Sequence, residues 1–202
     1  MEGTLSLPFR MGILAAGLSL WLILYFSVKQ INVAPNKRMD MITSIDQKMP
    51  FVPWMALVYF STYIFVLLPF ILYSEARTFW GILAAYVAVT AISTLFHIFL
   101  PSRIQRIEDL PEAGISEKAL GMFQRLSKPH DNFPSMHVAF SVLVVGANFT
   151  QTGTLAGVLA LVWAVLIALS TMFTKQHYIT DVLAGTVNGI LIFSLAYLLV
   201  IG

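Results

Sequence analysis

Long apolar runs alternate with short polar segments along this chain. A run of about 17–25 apolar residues is enough to cross a bilayer as a helix. Runs of that kind fall at residues 11–28, 51–73, 79–100, 154–173 and 180–201, with a shorter one at 134–149. The pattern predicts six membrane spans. Pro69 is expected to bend the second near its end, and Pro101 to stop the third. Turns are expected at residues 74–78 and 151–153. The fourth span is short, so it is expected in the interior of the bundle or to draw on residues 132–134 for its first turn. Only Arg10 precedes the first run and no small-residue cleavage site follows it, so that run is read as a retained span.

Two longer polar segments interrupt the runs, at residues 29–50 and 102–133. In the second, Ser116 is expected to cap a short helix whose Ala119, Leu120, Phe123 and Leu126 recur at helical spacing. Such an amphipathic helix belongs in the membrane interface. No internal repeat or low-complexity tract is visible. Six alternating crossings place the end of span three, the start of span four, the end of span five and the start of span six on one face of the membrane. Both termini fall on the other face.

Composition sharpens this picture. The chain has 202 residues, 58% of them hydrophobic and 11% charged, against about 25% charged in a soluble domain. The fold class expected is all-α: one six-span transmembrane bundle over residues 1–202, with an interfacial helical loop between spans three and four. There is no cysteine, which excludes disulfides and thiolate metal sites. A net charge of +2 gives no reason to expect nucleic acid as a partner.

Polar, titratable residues concentrate on the shared face. His177 and Asp181 are four residues apart, hence on one side of a helix. The carboxylate can hold one imidazole nitrogen and leave the other as nucleophile or base. A buried polar pair that pins the helix start explains the same spacing, although ionisable groups at span ends lean towards function. Asn132-Phe133-Pro134-Ser135-Met136-His137 opens span four. Asn132 is expected to cap it, with Pro134 in the first turn. The free N–H groups and the Ser135 hydroxyl would then face an anion, with His137 placed to protonate a leaving oxygen. An ordinary cap beside an incidental histidine is the plainer alternative. Arg103, Arg106 and Lys175 supply cations that match phosphate oxygens, yet arginines just outside a span also serve as snorkelling anchors. No His/carboxylate spacing matches the usual metal-ligand patterns. The set describes a phosphate site without metal or other cofactor.

At these residues the chain resembles the type 2 phosphatidic acid phosphatase (PAP2) superfamily. Phe133-Pro134-Ser135-Met136-His137 is similar to its central Pro-Ser-x-His motif. Ser170-Thr171, then His177-Tyr178-Ile179-Thr180-Asp181 and Val182-Leu183-Ala184-Gly185, resemble its third motif. The family has an arginine where this chain has Thr171. Its first motif, a lysine followed after six residues by Arg-Pro, has at most a degenerate counterpart in residues 101–106, with Arg106 as the preferred match. The resemblance implies a metal-independent hydrolase of lipid phosphates or diphosphates, such as phosphatidic acid or an isoprenyl diphosphate. In such an enzyme His177 would attack phosphorus, Asp181 would orient it and His137 would act as acid and base. The relaxed motifs are also similar to the inositol-phosphorylceramide synthase branch, in which the phosphoryl head group passes to a lipid hydroxyl. A binder of lipid phosphates without turnover is the third alternative. Partners are then the lipid substrate and membrane lipid, with no protein partner expected.

Orientation is divided. Of the 12 Lys and Arg residues, only Arg10 and Arg77 lie opposite the site, which by the positive-inside rule puts the site in the cytoplasm. The resemblance implies a periplasmic or lumenal site, in a bacterial inner membrane or a eukaryotic endomembrane, and is the reading adopted.

Overall fold

The helices form in the order that the apolar runs predict. The computed structural model describes residues 3–29, 38–104, 114–126 and 132–202. Its long helices are α1 (Leu7–Lys29), α3 (Met55–Phe65), α5 (Ala76–Phe99), α7 (Met136–Gln151), α8 (Thr154–Phe173) and α9 (Ile179–Ala196). Helices α2 (Ser44–Lys48), α4 (Leu68–Leu72) and α6 (Ile115–Leu126) join them, and a π-helical turn at Tyr197–Ile201 continues α9. Among the described residues, a parallel pair of two-residue strands, β1 (Met39–Asp40) and β2 (Ser102–Arg103), and an isolated bridge between Thr4 and Glu75 accompany the helices. Among the described residues, four helical stretches are long and apolar enough to cross a membrane: Met55–Leu72, Ala76–Phe99, Thr154–Phe173 and Ile179–Ile201. Two shorter apolar stretches, Leu7–Ile23 and Met136–Gln151, accompany them. These helices make the chain a membrane protein.

Proline chemistry explains the break in the second apolar run. Pro69 cannot donate a backbone hydrogen bond, and its ring crowds the carbonyl four residues back. That residue is Phe65, where α3 ends. The interruption therefore precedes Pro69 instead of coinciding with it. The Tyr86 hydroxyl donates to the freed Val66 carbonyl at 2.8 Å, a substitution that apolar surroundings demand. At the same end of the molecule Arg10 is buried, and its guanidinium donates to the carbonyls of Leu5, Phe70, Ile71 and Tyr73.

Helix α7 is the hub. Its 16 residues extend about 24 Å at 1.5 Å per residue, short of a hydrocarbon core of about 30 Å. Its faces nevertheless serve four apolar clusters. Val144 meets Phe65, Ala160, Ala164 and Ile167, and Ala147 meets Phe70, Phe79 and Ile82. Ala139 and Leu143 meet Ala85 and Val89, and Val138 meets Met172 and Val182. Helix α9 meets α7 backbone to backbone. A Cβ at Gly185 would lie 2.4 Å from the Ser135 carbonyl oxygen, and one at Gly189 would lie 2.7 Å from that of Ala139. Small residues four apart let two membrane helices touch backbone to backbone. At that contact the Ser135 N–H donates to the Asp181 carbonyl at 3.0 Å.

A strap from the 29–50 segment crosses the same end. Thr43 and Asp46 form a capping box on α2. Asp46 is buried, and its Oδ1 accepts the Ile179 N–H of α9 at 2.9 Å. The Val52 N–H donates to the Phe173 carbonyl at the end of α8, and Met39 N–H to that of Pro101. Helix α6 packs on α3 with Leu120 fully buried. It starts at Ile115, one residue before the expected cap, because Gly114 already supplies the carbonyl for Lys118. Ser116 therefore sits in the first turn, where its hydroxyl meets the Glu117 carboxylate. Phe123 and Leu126 of the expected stripe have side chains outside the described set.

Gly185→Ala is expected to lower stability in detergent by about 1–3 kcal/mol through overpacking, read as a drop in the unfolding midpoint. Gly17→Ala on α1, where a Cβ meets nothing within 4 Å, should be neutral or stabilising by about 0.5–1 kcal/mol. Equal effects at the two positions would refute the close-contact account. Asp46→Ala should cost about 1–3 kcal/mol by stranding a buried donor and should speed hydrogen exchange at the Ile179 amide. Unchanged protection there would mean that something other than Asp46 holds the strap.

Candidate active site

The turn that carries His177 is a helix ending in a Schellman motif. Lys175 takes a left-handed conformation, φ 55°. The Lys175 N–H then donates to the Met172 carbonyl and that of Gln176 to Thr171, the pairing this motif requires. The His177 N–H adds a second bond to the Thr171 carbonyl at 3.1 Å. Glycine is the usual occupant of such a position, since a side chain is strained there. The lysine is held by its far end: its ammonium donates to the carbonyls of Asp46 and Met49, closing the strap onto the turn. Burial pushes the Lys175 ammonium down from its ordinary range, against the opposing pull of Asp46.

Helix α9 starts directly after His177, and Asp181 lies in its first turn. Its Oδ2 accepts the Tyr178 N–H at 2.9 Å and stands 3.3 Å from His177 Nδ1. Its Oδ1 is buried without a partner among the described residues. The other imidazole nitrogen, His177 Nε2, is 3.3 Å from His137 Nδ1. His137 Nε2 in turn is 3.2 Å from the Tyr59 hydroxyl. Asp181, His177, His137 and Tyr59 therefore form one hydrogen-bonded line through α9, the α8–α9 turn, α7 and α3. His177 and Asp181 are both buried.

The start of α7 differs from the expectation. The helix begins at Met136, after a cis Phe133–Pro134 peptide bond, so Pro134 lies outside its first turn. Ser135 is the cap, and its Oγ accepts the Val138 N–H at 3.5 Å. Asn132 is thus not the cap: an extended Ser135 already supplies the side-chain oxygen one residue before the helix. Asn132 is buried instead, and its Nδ2 has no partner among the described residues. The N–H groups of Met136 and His137 take no acceptor among the described residues, as expected of a helix's first turn.

The cations are distributed unevenly. Arg103 is exposed on β2, in register with Asp40, and no hydrogen bond joins it to the histidines. Two donors of Lys175 are engaged with the strap. Arg106 lies outside the described residues. Thr171, where the resemblance expected an arginine, is fully buried with its hydroxyl on the Ala168 carbonyl. Its backbone oxygen accepts the Gln176 and His177 N–H groups and so holds the His177 turn.

Sequence reasoning missed Tyr59 and Asp46. Asp46 had a signal in the Thr43-x-x-Asp46 capping pattern. Tyr59 had none, being one aromatic residue in an apolar run.

A search of curated proteins and one of solved structures each found no match to this chain. A family model described as the PAP2 superfamily matches residues 82–201. That stretch holds α7, α8 and α9 with His137, His177 and Asp181, and covers more than half of the sequence. The chain belongs to the PAP2 superfamily, a group of phosphatases and phosphotransferases.

Proposed function

We propose that the chain is a membrane-embedded lipid phosphate phosphatase that works without a metal through a phosphohistidine on His177. The observation that carries this reading is the line from Asp181 through His177 to His137. Asp181 accepts the Nδ1 proton of His177 and leaves the Nε2 lone pair directed at the neighbouring imidazole. A phosphoryl group entering between the rings meets a nucleophile on one side and a proton donor on the other.

In the first half-reaction the His177 Nε2 lone pair forms the N–P bond. The P–O bond to the lipid breaks, and its electron pair takes the Nδ1 proton of a protonated His137. In the second, water attacks phosphorus and gives a proton back to His137 Nδ1, and the N–P pair returns to His177. Donors for the equatorial oxygens are available at the α7 start: the Met136 and His137 N–H groups, the Ser135 hydroxyl and the Asn132 amide. Arg103, Arg106 and Lys175 would bring positive charge to the rim. The substrate class is a lipid phosphate or diphosphate, phosphatidic acid or an isoprenyl diphosphate among them. We read α1, α3–α4, α5, α7, α8 and α9 as six crossings, with α6 in the interface and the site facing the periplasm or lumen.

A second reading is transfer to a lipid hydroxyl. His177 is only 6% exposed, and the rings of Tyr59 and Tyr63 pack on His137 at 5.0 and 5.9 Å. A phosphohistidine screened from water in this way could outlast attack by water and await a lipid acceptor.

Purified protein in EDTA should release phosphate from phosphatidic acid or isoprenyl diphosphate, with acid-labile phosphate trapped on the protein after a rapid quench. His177→Ala should reduce turnover by about 10⁴-fold or more and abolish trapping. Asp181→Asn should cost about 10²–10⁴-fold. Full activity in the His177 variant would sink the mechanism. Adding a lipid alcohol separates the two readings: a phosphatase keeps yielding inorganic phosphate, and a transferase moves the label to the alcohol.

A further inference from the structure

Tyr59 lies outside the residues that the family model matches, on a helix that contributes none of the superfamily's motifs. Its ring is buried at 1% exposure, and its hydroxyl is 3.2 Å from His137 Nε2. We propose that Tyr59 is a positioning residue for this site, one that pairs with Nε2 of His137 whether or not that nitrogen carries a proton. The inference rests on the reading of His137 as acid and base.

The proton inventory follows from which groups can only accept. An ionised carboxylate is an acceptor only, so His177 Nδ1 carries a proton towards Asp181 and a neutral His177 has its lone pair on Nε2. His137 Nδ1, at 3.3 Å, must then bear a proton, since two facing lone pairs repel. Before substrate binds, a neutral His137 consequently has its lone pair on Nε2, and the Tyr59 O–H donates to it; after protonated His137 gives up its Nδ1 proton, Nε2–H donates to the Tyr59 oxygen instead. When His137 gains a second proton, Nε2 becomes a donor, and the same hydroxyl accepts after rotating its O–H bond. A hydroxyl can do both. A carboxylate in its place would hold the protonated ring permanently, and a phenylalanine would hold neither form.

The titratable groups facing His137 are few. Tyr59 and Tyr63 come from α3 and His177 from the α8–α9 turn, with Asp181 one ring further on. Among the described residues, no hydrogen bond or ring contact links His137 to a titratable group of α4, α5 or α8, the other helices packed on α7. Among the described residues the Tyr59 hydroxyl, itself hydrogen-bonded to Tyr63, is the group on Nε2.

Tyr59→Phe removes that hydroxyl and keeps the ring. A hydrogen bond from a charged donor is stronger than one from a neutral group. Losing it disfavours protonated His137, so the alkaline limb of the pH–rate profile should move to lower pH, by about one pH unit. kcat should fall about tenfold or more with KM little changed. Tyr86→Phe, which removes a hydroxyl bonded to the Val66 carbonyl and to neither histidine, should leave limb and kcat unaltered. Nitrogen-15 NMR of imidazole-labelled protein supplies a readout independent of turnover. Wild-type His137 should show a protonated Nδ1 and an unprotonated Nε2 near neutral pH, and Tyr59→Phe should keep that tautomer while the Nε2 resonance moves to that of an imidazole nitrogen without a hydrogen bond. A wild-type protein without turnover would overturn the enzymatic reading while the NMR still judges Tyr59. An unshifted limb in an active Tyr59→Phe variant, or an unmoved Nε2 resonance, would overturn the inference itself.

Discussion

The backbone contact between α7 and α9 is the constraint on which the site depends. His137 sits on one helix, and His177 and Asp181 sit at the start of the other. Their imidazoles can share a hydrogen bond only if the helix axes come closer than ordinary side chains permit. Gly185 and Gly189 remove the side chains that would intervene. The Ser135 N–H bond to the Asp181 carbonyl then fixes the register at the end where the two histidines lie. In a bilayer no hydrophobic drive pulls helices together, so packing and polar bonds of this kind must do so. The glycine following the third motif is thus part of the site's geometry without touching its reactive atoms.

A second layer of support comes from sequence before the matched region. Asp46 holds the first turn of α9, and Lys175 returns the tie to the strap. The strained φ of Lys175 is intelligible in that light. Glycine would relieve the backbone, but only a long cationic side chain can both end α8 and reach the carbonyls of α2. The turn bearing His177 is consequently fixed from three sides: by the Thr171 carbonyl, by Asp181 and by the strap.

How legible this was in the sequence differs by residue. The long apolar runs marked the helices with boundaries close to those observed, because length and hydropathy decide membrane helices almost alone. The pairing of His177 with Asp181 was legible from a spacing of four, and its meeting with His137 from the alternation of spans. The cap was misread as Asn132 because Asn and Ser have similar capping preference, and only the local backbone shows which oxygen reaches the helix. The partition of α3 from α4 fell four residues before Pro69, since proline acts on a carbonyl upstream of itself. Tyr59 was hidden because an aromatic residue in an apolar run has no period or spacing that reveals a hydrogen bond to a histidine 78 positions later.

The electrostatics of the line follow from where it lies. Ionisable groups within a membrane are costly unless they are paired. Along Asp181, His177, His137 and Tyr59 the only obligatory charge is the carboxylate, and it is placed at the N-terminus of α9, where a Tyr178 N–H and the helix dipole compensate it. The remaining members can be neutral, each donating in the same direction towards Asp181. A phosphate arriving at this line would bring charge that Asp181 opposes and that the engaged Lys175 can meet only in part. The compensation nearest to the reacting centre is the start of α7 together with a second proton on His137. If the line carries the proposed reaction, substrate charge and His137 protonation would be coupled: a bound phosphate would favour the protonated imidazole, and its departure would restore the neutral line.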